Sequence, residues 1–229
     1  MDNVIIETFT DNKKALHWDL SDGEIKTLIT FNKGDSDKSL DFTATLKKDS
    51  KLFVYNIITT SNNAVINETI DILDEHSTVE VINLFLGDND SNITSNILIN
   101  HHVKNTESNL AIYAIAKDNS KMIINNNAWI KNGSHKAIVH QKAKGLTLSK
   151  TSSIKAQPNL YIDEYDVIAS HACAIGSINK DDLFYLMSRG LSEVESSRLI
   201  VMGFVSPILD HIKNQELNKE IKDKFIERL

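Results

Sequence analysis

One short phrase recurs along the chain and constrains the fold more than any other feature. It consists of a polar residue, a serine, one or two variable positions and then alternating apolar residues, as in DSKLFVY, HSTVEVI, ESNLAIY, NSKMIIN and GSHKAIV. Ser50, Ser77, Ser108 and Ser134 are separated by 27, 31 and 26 residues, and Ser120 lies near the middle of one period. A period of this length, with two or three short strands in each repeat, is typical of stacked coils.

Alternation of apolar and polar residues extends from about residue 24 to residue 178 and indicates half-buried strands. The clearest segments are IKTLITF, LDFTATL, STVEVINLF, SNILINHHV, NLAIYAIA, KMIINNNAWI, LTLSKT and NLYIDEYDVI. The serines and asparagines between them are expected in turns, where their side chains can bond nearby backbone. We predict a mainly β fold, a parallel β-helix. An antiparallel sandwich is the alternative, but it favours Asn-Gly or Asp-Gly hairpins, which are too few here.

The periodicity changes after Gly176 and predicts helices. In NKDDLFYLMSRG, Asn179 is a candidate N-cap, and Gly190 is a candidate C-terminal stop. Ser192 and Glu195 fit a capping box that opens a second helix. Within that helix, Pro207 either introduces a kink or begins a new helix.

The last segment, QELNKEIKDKFIERL, predicts an amphipathic helix with Leu217, Ile221, Phe225 and Leu229 on one face. The expected organisation is therefore a β-helix core domain over residues 1–178 and a small C-terminal helical domain over residues 179–229.

Composition excludes several classes of function. A net charge of -6 argues against nucleic-acid binding through bulk charge. No apolar run is long enough for a membrane span, and the first residues do not resemble a secretory signal. A single cysteine fits a reducing compartment, so we expect a cytoplasmic protein. The chain has neither a Walker loop nor a G-x-G-x-x-G motif, and it should not hydrolyse ATP itself.

Three histidines form a candidate metal group, but adjacent strand residues point to opposite faces, so His101 and His102 cannot easily chelate together. We expect these two and His140 to lie in turns or on the surface. In GDNDSN, Asp88 and Asp90 give a weak hint of calcium that lacks the EF-hand spacing, and a solvated turn is preferred.

The stretch SHACAIGSINKDDLFYLMSRGL, together with SSRLIVMGF, resembles the SufB/SufD family of iron–sulfur cluster assembly proteins. The resemblance covers about 70 contiguous residues, from Gln141 to about Asp210, and it includes QKAKGLTLSKTSSIKAQPNLYI upstream. It implies a β-helix core. Family members are usually much longer and have a helical N-terminal region that the resemblance does not include.

Within this family the chain resembles the SufD type. Aligning Pro158 and His171 with their counterparts places Ala143 at the cysteine of SufB-type scaffolds. It places Ser170 and Ala172 at two scaffold glutamates. The resemblance thus implies loss of a thiolate and two carboxylates, with the histidine retained at the interface with SufB.

His171 is therefore a candidate interface residue, and imidazole is also a competent iron ligand. Cys173 is a second candidate, two residues later and on the same face of a strand. No lysine or arginine adjoins this cysteine to lower the pKa of its thiol, so packing as a small hydrophobic residue is the preferred interpretation.

The resemblance implies a non-enzymatic subunit that pairs with a SufB-like scaffold and binds the SufC ATPase through its helices. The candidate residues for SufC binding are Asp181, Asp182, Leu183, Phe184, Tyr185, Arg189 and Phe204. The two aspartates are better explained as partners of the helix dipole than as catalytic carboxylates. No cofactor is expected to bind stably, and an iron–sulfur cluster would occupy an interface only transiently. The alternatives are a homodimeric minimal scaffold and, less favoured, a β-helix enzyme acting on carbohydrate.

Overall fold

A computed structural model describes residues 3–9, 12–32 and 36–229 as a series of strands followed by three helices. The strands are β1 Asn3–Phe9, β2 Lys13–Leu20, β3 Ile25–Asn32, β4 Lys38–Leu46, β5 Lys51–Thr60, β6 Ala64–Ile72, β7 Thr78–Gly87, β8 Asn92–His101, β9 Glu107–Ala116, β10 Lys121–Ile130, β11 Ile138–Thr147, β12 Ser153–Ile162 and β13 Ile168–Ser177. The helices are α1 Lys180–Ser188, α2 Glu193–Leu209 and α3 Gln215–Arg228. None of these helices is long and apolar enough to cross a membrane.

The strands form two parallel sheets that face each other. Sheet A has the order β1-β3-β5-β7-β9-β11-β13, and sheet B has the order β12-β10-β8-β6-β4-β2. Each coil therefore contributes one strand to each sheet. One coil advances the chain by 27 residues where Lys51 pairs with Thr78, and by 31 where Glu107 pairs with Ile138. The predicted parallel β-helix is confirmed, with two strands in each coil.

Three strand boundaries differ from the sequence prediction. LTLSKT is not a strand, because β11 ends at Thr147 and β12 begins at Ser153. Strands begin well before residue 24, because β1 and β2 already form the first coil. Neither strand contains the serine phrase, and the charged residues of β2 weaken its alternation of apolar and polar residues. NLYIDEYDVI is not one strand, because β12 ends at Ile162 and the next strand begins at Ile168.

The turns use the predicted serines. Asp49 and His76 adopt positive φ angles of 58° and 62°, and a fully buried serine follows each of them. Ser50 and Ser77 both donate to the carbonyl of Lys47, at 2.5 and 2.7 Å, so these serines tie one turn to the next along the stack.

Apolar side chains from alternate positions fill the space between the sheets. The largest of them are Phe42 and Phe85, and both are essentially inaccessible to solvent. A second core lies on the outer face of sheet A. There Phe31 and Leu84 pack against buried residues of α2 and α3, among them Val205, Ile221 and Phe225.

The predicted helix caps are present. Asn179 caps α1 by accepting from the backbone of Asp181, and Ser192 and Glu195 form the capping box of α2. Pro207 lies inside α2, which continues to Leu209. The predicted apolar face of α3 is confirmed, since Leu217, Ile221 and Phe225 are its buried residues, with Leu229 partly buried beside them.

A carboxyl side chain lies between the two sheets of the solenoid. Glu68 of β6 is fully buried and reaches across the core to sheet A, where it accepts from Asn56 at 2.9 Å and from Asn83 at 2.8 Å. The side-chain amide oxygen of Asn56 in turn accepts from the hydroxyl of Thr30 at 2.5 Å. Burial raises the pKa of Glu68 to about 7, although the two amide hydrogen bonds act in the opposite direction.

Candidate functional site

The last coil consists of β12, the turn at residues 163–167 and β13, and no further coil among the described residues covers it. β12 pairs only with β10, and β13 pairs only with β11. Every residue of β13 except Ala169 is exposed. Exposed large apolar side chains gather here, including Tyr161, Tyr165 and Ile168, whose exposed fractions are 51%, 102% and 61%.

Both predicted interface residues lie on the inward side of β13. His171 pairs with Gln141 and Cys173 pairs with Ala143, and both residues of β11 are buried and face the solenoid interior. In-register neighbours in a parallel sheet point to the same face. His171 and Cys173 therefore overlie the open end of the interior. The expectation that Cys173 packs as a buried residue is wrong, since its side chain is exposed.

The backbone of the same two residues faces the free edge. The amide of Ile168 donates to the carbonyl of Ala137. Because alternate residues of a parallel strand bond to the same neighbour, the even-numbered residues of β13 pair with β11. The odd-numbered ones, His171 and Cys173 among them, present N–H and C=O groups to solvent.

The four strands that end the two sheets differ in how their edges are protected. Charge and proline on an edge strand discourage pairing with another chain. β1 contains Glu7, and β2 contains three charged residues. β12 contains Lys155 and Pro158. Ser153 donates to β10, so even positions of β12 face the free edge and Pro158 removes a donor there. β13, IASHACAIGS, has neither charge nor proline.

The interior beneath the last coil is polar. Asn126 of β10 is fully buried, and neither of its amide atoms has a hydrogen-bond partner among the described residues. Gln141 donates to the carbonyl of Asn159 at 3.3 Å, while its own amide oxygen lacks a partner within the same part of the chain. Gln141 lies beside His171 in the register of sheet A, and the unpartnered amide atoms would suit a polar group entering from the open end.

The outer face of sheet A changes character at β11. On β3 to β9 it is apolar and lies beneath α2 and α3. On β11 it carries the exposed His140, Lys142 and Lys144, and then Leu146, which is partly buried against the same core. Sequence reasoning missed the two lysines, although their alternation with Gln141 and Ala143 places them on the opposite face from the interior.

Helix α1 has no buried residue and exposes apolar side chains. Phe184 and Tyr185 of the predicted SufC-binding set have exposed fractions of 74% and 56%. Asp181 and Asp182 are exposed in the first turn of the helix, and Leu183 is half-buried.

The two remaining residues of this set have partners within the chain. The guanidinium of Arg189 lies 5.2 Å from the ring centroid of Tyr185. Phe204 of α2 packs edge-on against Tyr113, at 5.5 Å between ring centroids, and so belongs to the second core.

The histidines do not form a metal site, and no group of three or more potential metal ligands occurs in the described residues. His101 is not at the surface as expected; it is buried inside the solenoid, bonded to Thr106 and Ser108 at 2.8 Å each. Burial, with His102 beside it, lowers the pKa of His101 to about 4. His102 points outward and bonds to Asp71. The prediction that these neighbours face opposite sides is confirmed.

The acidic stretch GDNDSN has a structural role. Asp88 accepts two hydrogen bonds from Arg228 of α3, at 3.0 and 2.9 Å. This ion pair fastens the end of α3 to a turn of the solenoid. His140 bonds to the hydroxyl of Ser170 at 2.7 Å and so connects the outer faces of β11 and β13.

Comparison with known proteins gives a consistent result. Residues 28–204 match the family model described as SUF system FeS cluster assembly, SufBD core domain. The chain is 33% identical to the iron-sulfur cluster assembly protein SufD of Bacillus subtilis over 135 residues, which cover 59% of this chain and 30% of that protein. An iron-sulfur cluster assembly SufBD family protein of Pyrococcus horikoshii is 45% identical over 75 residues, which cover 32% of this chain and 16% of the relative.

A third relative, a SufBD family protein of Mycobacterium bovis, is 26% identical over 190 residues, which cover 74% of this chain and 22% of the relative. The chain thus spans about a third or less of the length of these relatives.

Proposed function

Because this chain belongs to the SufBD core family of iron–sulfur cluster assembly proteins, we propose that it is a SufD-like, non-enzymatic subunit that pairs with a SufB-like scaffold. The pairing surface would be the free edge of β13. The observation that carries this proposal is the composition of that edge, since β13 alone among the four terminal strands lacks both charge and proline. An unprotected strand edge of ten residues favours addition of a strand from another chain.

The position of His171 supports a role at this surface. Its backbone would bond to the added strand, and its side chain would lie at the junction between the two solenoid interiors. The iron–sulfur cluster is the cargo of such a complex. With one histidine and one exposed thiol on β13, this chain supplies few ligands, so most of the cluster ligands would come from the scaffold.

Helix α1 and the start of α2 would bind the SufC-type ATPase. Phe184, Tyr185 and Met187 on α1 and Val194 and Leu199 on α2 are exposed apolar residues within 16 positions of chain. Such a cluster on two short helices is typical of a docking site. ATP-driven association of two SufC subunits would then strain the paired scaffold proteins and expose the assembly site.

One proline substitution on the free edge of β13 and a matched one on the free edge of β12 test the proposal. Ile175→Pro removes an edge-facing donor from β13 without touching the bonds to β11, and Ala156→Pro makes the same change on the edge of β12. Native mass spectrometry of the chain mixed with the SufB and SufC proteins of its organism should show a three-component complex. Ile175→Pro should abolish the contact with SufB, and Ala156→Pro should preserve it.

Phe184→Ser is the matching test on α1, and it should remove SufC while SufB remains bound. Survival of the SufB contact in Ile175→Pro would reject the β13 edge as the pairing surface. A chain that binds SufC and only a second copy of itself would favour the homodimeric scaffold instead.

A further inference from the structure

Two lysines on the outer face of sheet A, beside the terminal strand β13, bear on which kind of chain adds a strand to β13. We infer that the strand added to β13 comes from an unlike chain and carries carboxylates on its outer face, where Lys142 and Lys144 bind them. This inference rests on the proposed function, because it takes strand addition at β13 as given. It concerns the choice of partner, which the edge itself does not decide.

The two lysines lack anionic partners in the part of the chain that the structure describes. Both are exposed on β11, and neither lies within 4.0 Å of a carboxylate in the described residues. Lys142 lies over the ring of Tyr113, with its Nζ atom 5.8 Å from the ring centroid. That contact holds the side chain against sheet A and leaves its charge available.

At the position of Lys144 the apolar packing on sheet A stops, although Leu146 near the end of β11 still packs against the second core. Along one outer column of sheet A, Ile57, Leu84 and Tyr113 are followed by Lys144 and then Ala174. The first three belong to the core shared with α2 and α3. A cation in the next position ends that apolar surface, so the helices do not extend over β11 in this column.

The outer face of β13 leaves room for a contact that passes over it. The residues beside His140, Lys142 and Lys144 are Ser170, Ala172 and Ala174, and all three are small. Neighbouring strands are about 4.8 Å apart, so a strand added to β13 would lie about 10 Å from β11. A lysine and a glutamate can reach each other over that distance when only small side chains lie between them.

A second copy of this chain does not offer the required charge. β13 contains no aspartate or glutamate on either face, so β13 paired with itself would leave both lysines without partners. The two rows of lysines would then lie about 14 Å apart on the same side of one continuous sheet, where they add no attraction to the pairing. The charge pattern therefore favours a partner whose edge strand is acidic.

Charge reversal of the two lysines tests this inference on the full chain. The double variant Lys142→Glu/Lys144→Glu should weaken binding to the SufB-like scaffold roughly tenfold or more, as expected when complementary charges become like charges. Lys142→Arg/Lys144→Arg keeps the charge and should bind within about threefold of the wild type. Lys48→Glu/Lys51→Glu changes net charge equally, far from β13, and serves as the matched control.

Dissociation constants should be measured at about 50 mM and about 500 mM salt, because screening weakens exposed ion pairs. Wild-type affinity should fall with salt, and the reversed variant should lose most of that dependence. The inference would be overturned if the reversed variant bound the scaffold as tightly as the wild type does. It would also be overturned if the wild-type chain formed a homodimer as tight as the mixed complex and Ile175→Pro disrupted that homodimer. In either case, loss of the SufB contact in Ile175→Pro would still support the β13 edge, so the two proposals fail separately.

Discussion

The body of the solenoid and its last coil share one sequence pattern but differ in what covers them. Phe85, Ala114, Gly145 and Ile175 occupy one inward column of sheet A, on successive strands from β7 to β13. Phe85 is fully buried, whereas the exposed fraction of Ile175 is 39%. Inward position alone therefore does not produce burial, which requires a further coil stacked on the edge. The stack stops where an inward face of mixed character is left open, with Ile175 on the same face as His171 and Cys173.

The largest expected effect comes from shortening two side chains of this inward column to alanine, one in the body of the solenoid and one in the last coil. Phe85→Ala should lower the free energy of unfolding by about 3–5 kcal/mol, because it removes a buried ring and leaves a cavity. Ile175→Ala should lower it by less than about 1 kcal/mol, because its surroundings can relax into solvent. Urea titrations of both variants provide the measurement, and similar losses would mean that the last coil is covered in solution.

A second difference between the regions is that the carboxyl group with a strongly raised pKa, that of Glu68, lies in the body. Burial raises the pKa of Glu68 to about 7 in the folded chain, above its usual value of 4.5. Between these two pH values the folded state binds a proton that the unfolded state does not. The stabilising contribution of Glu68 is therefore greatest below pH about 4.5, and it is lost as pH rises through 7. The contribution of this group is about 3 kcal/mol across that window.

Glu68→Gln should flatten this part of the stability profile, because the amide cannot ionise. Its absolute stability at acid pH should be close to that of the wild type, because the protonated carboxyl and the amide each offer one carbonyl acceptor and one donor group to Asn56 and Asn83. Urea midpoints measured from pH 4.5 to pH 8 give the comparison, with the exposed Glu227→Gln as the control. A profile of unchanged slope in Glu68→Gln would show that water reaches the network.

His101 should act in the opposite pH direction. Its pKa is lowered from 6.5 to about 4, so the unfolded chain binds a proton that the folded chain excludes between these values. Stability from this group is present above pH about 6.5 and falls by about 3 kcal/mol as pH drops through 4. His101→Gln should remove that acid-side loss, whereas His17→Gln on the exposed face of β2 should retain it.

These buried groups show what the sequence could and could not predict. The period of the serine phrase predicts the solenoid, and capping residues such as Asn179 and Ser192 predict the helix ends, because both are local signals. The inward position of Glu68 could also be predicted, since Glu68 lies two residues from both Ile66 and Ile70 and therefore on the same face of the strand. His101 and His102 could not be told apart in this way, because two adjacent polar residues at the end of a strand do not show which one turns inward.

The open edge depends on information that no local pattern contains. Gln141 and His171 occupy equivalent inward positions on adjacent coils, yet one is buried and the other exposed. Only the number of coils decides which strand is last. The outer-face lysines on β11 likewise become informative only when β13 is known to be the terminal strand and to be lined with small residues.

The smallest expected effect is at Cys173. Cys173→Ala should change the free energy of unfolding by no more than about 0.5 kcal/mol, because the side chain is exposed and makes no buried contact. In the free wild-type chain the thiol should react with Ellman's reagent at a rate close to that of the unfolded chain. Addition of the SufB-like scaffold should slow this reaction at least tenfold if strand addition at β13 covers Cys173, as the free-edge position of its backbone requires. A thiol that remains equally reactive in the purified complex would place the partner elsewhere, and the open end of the last coil would then need another explanation.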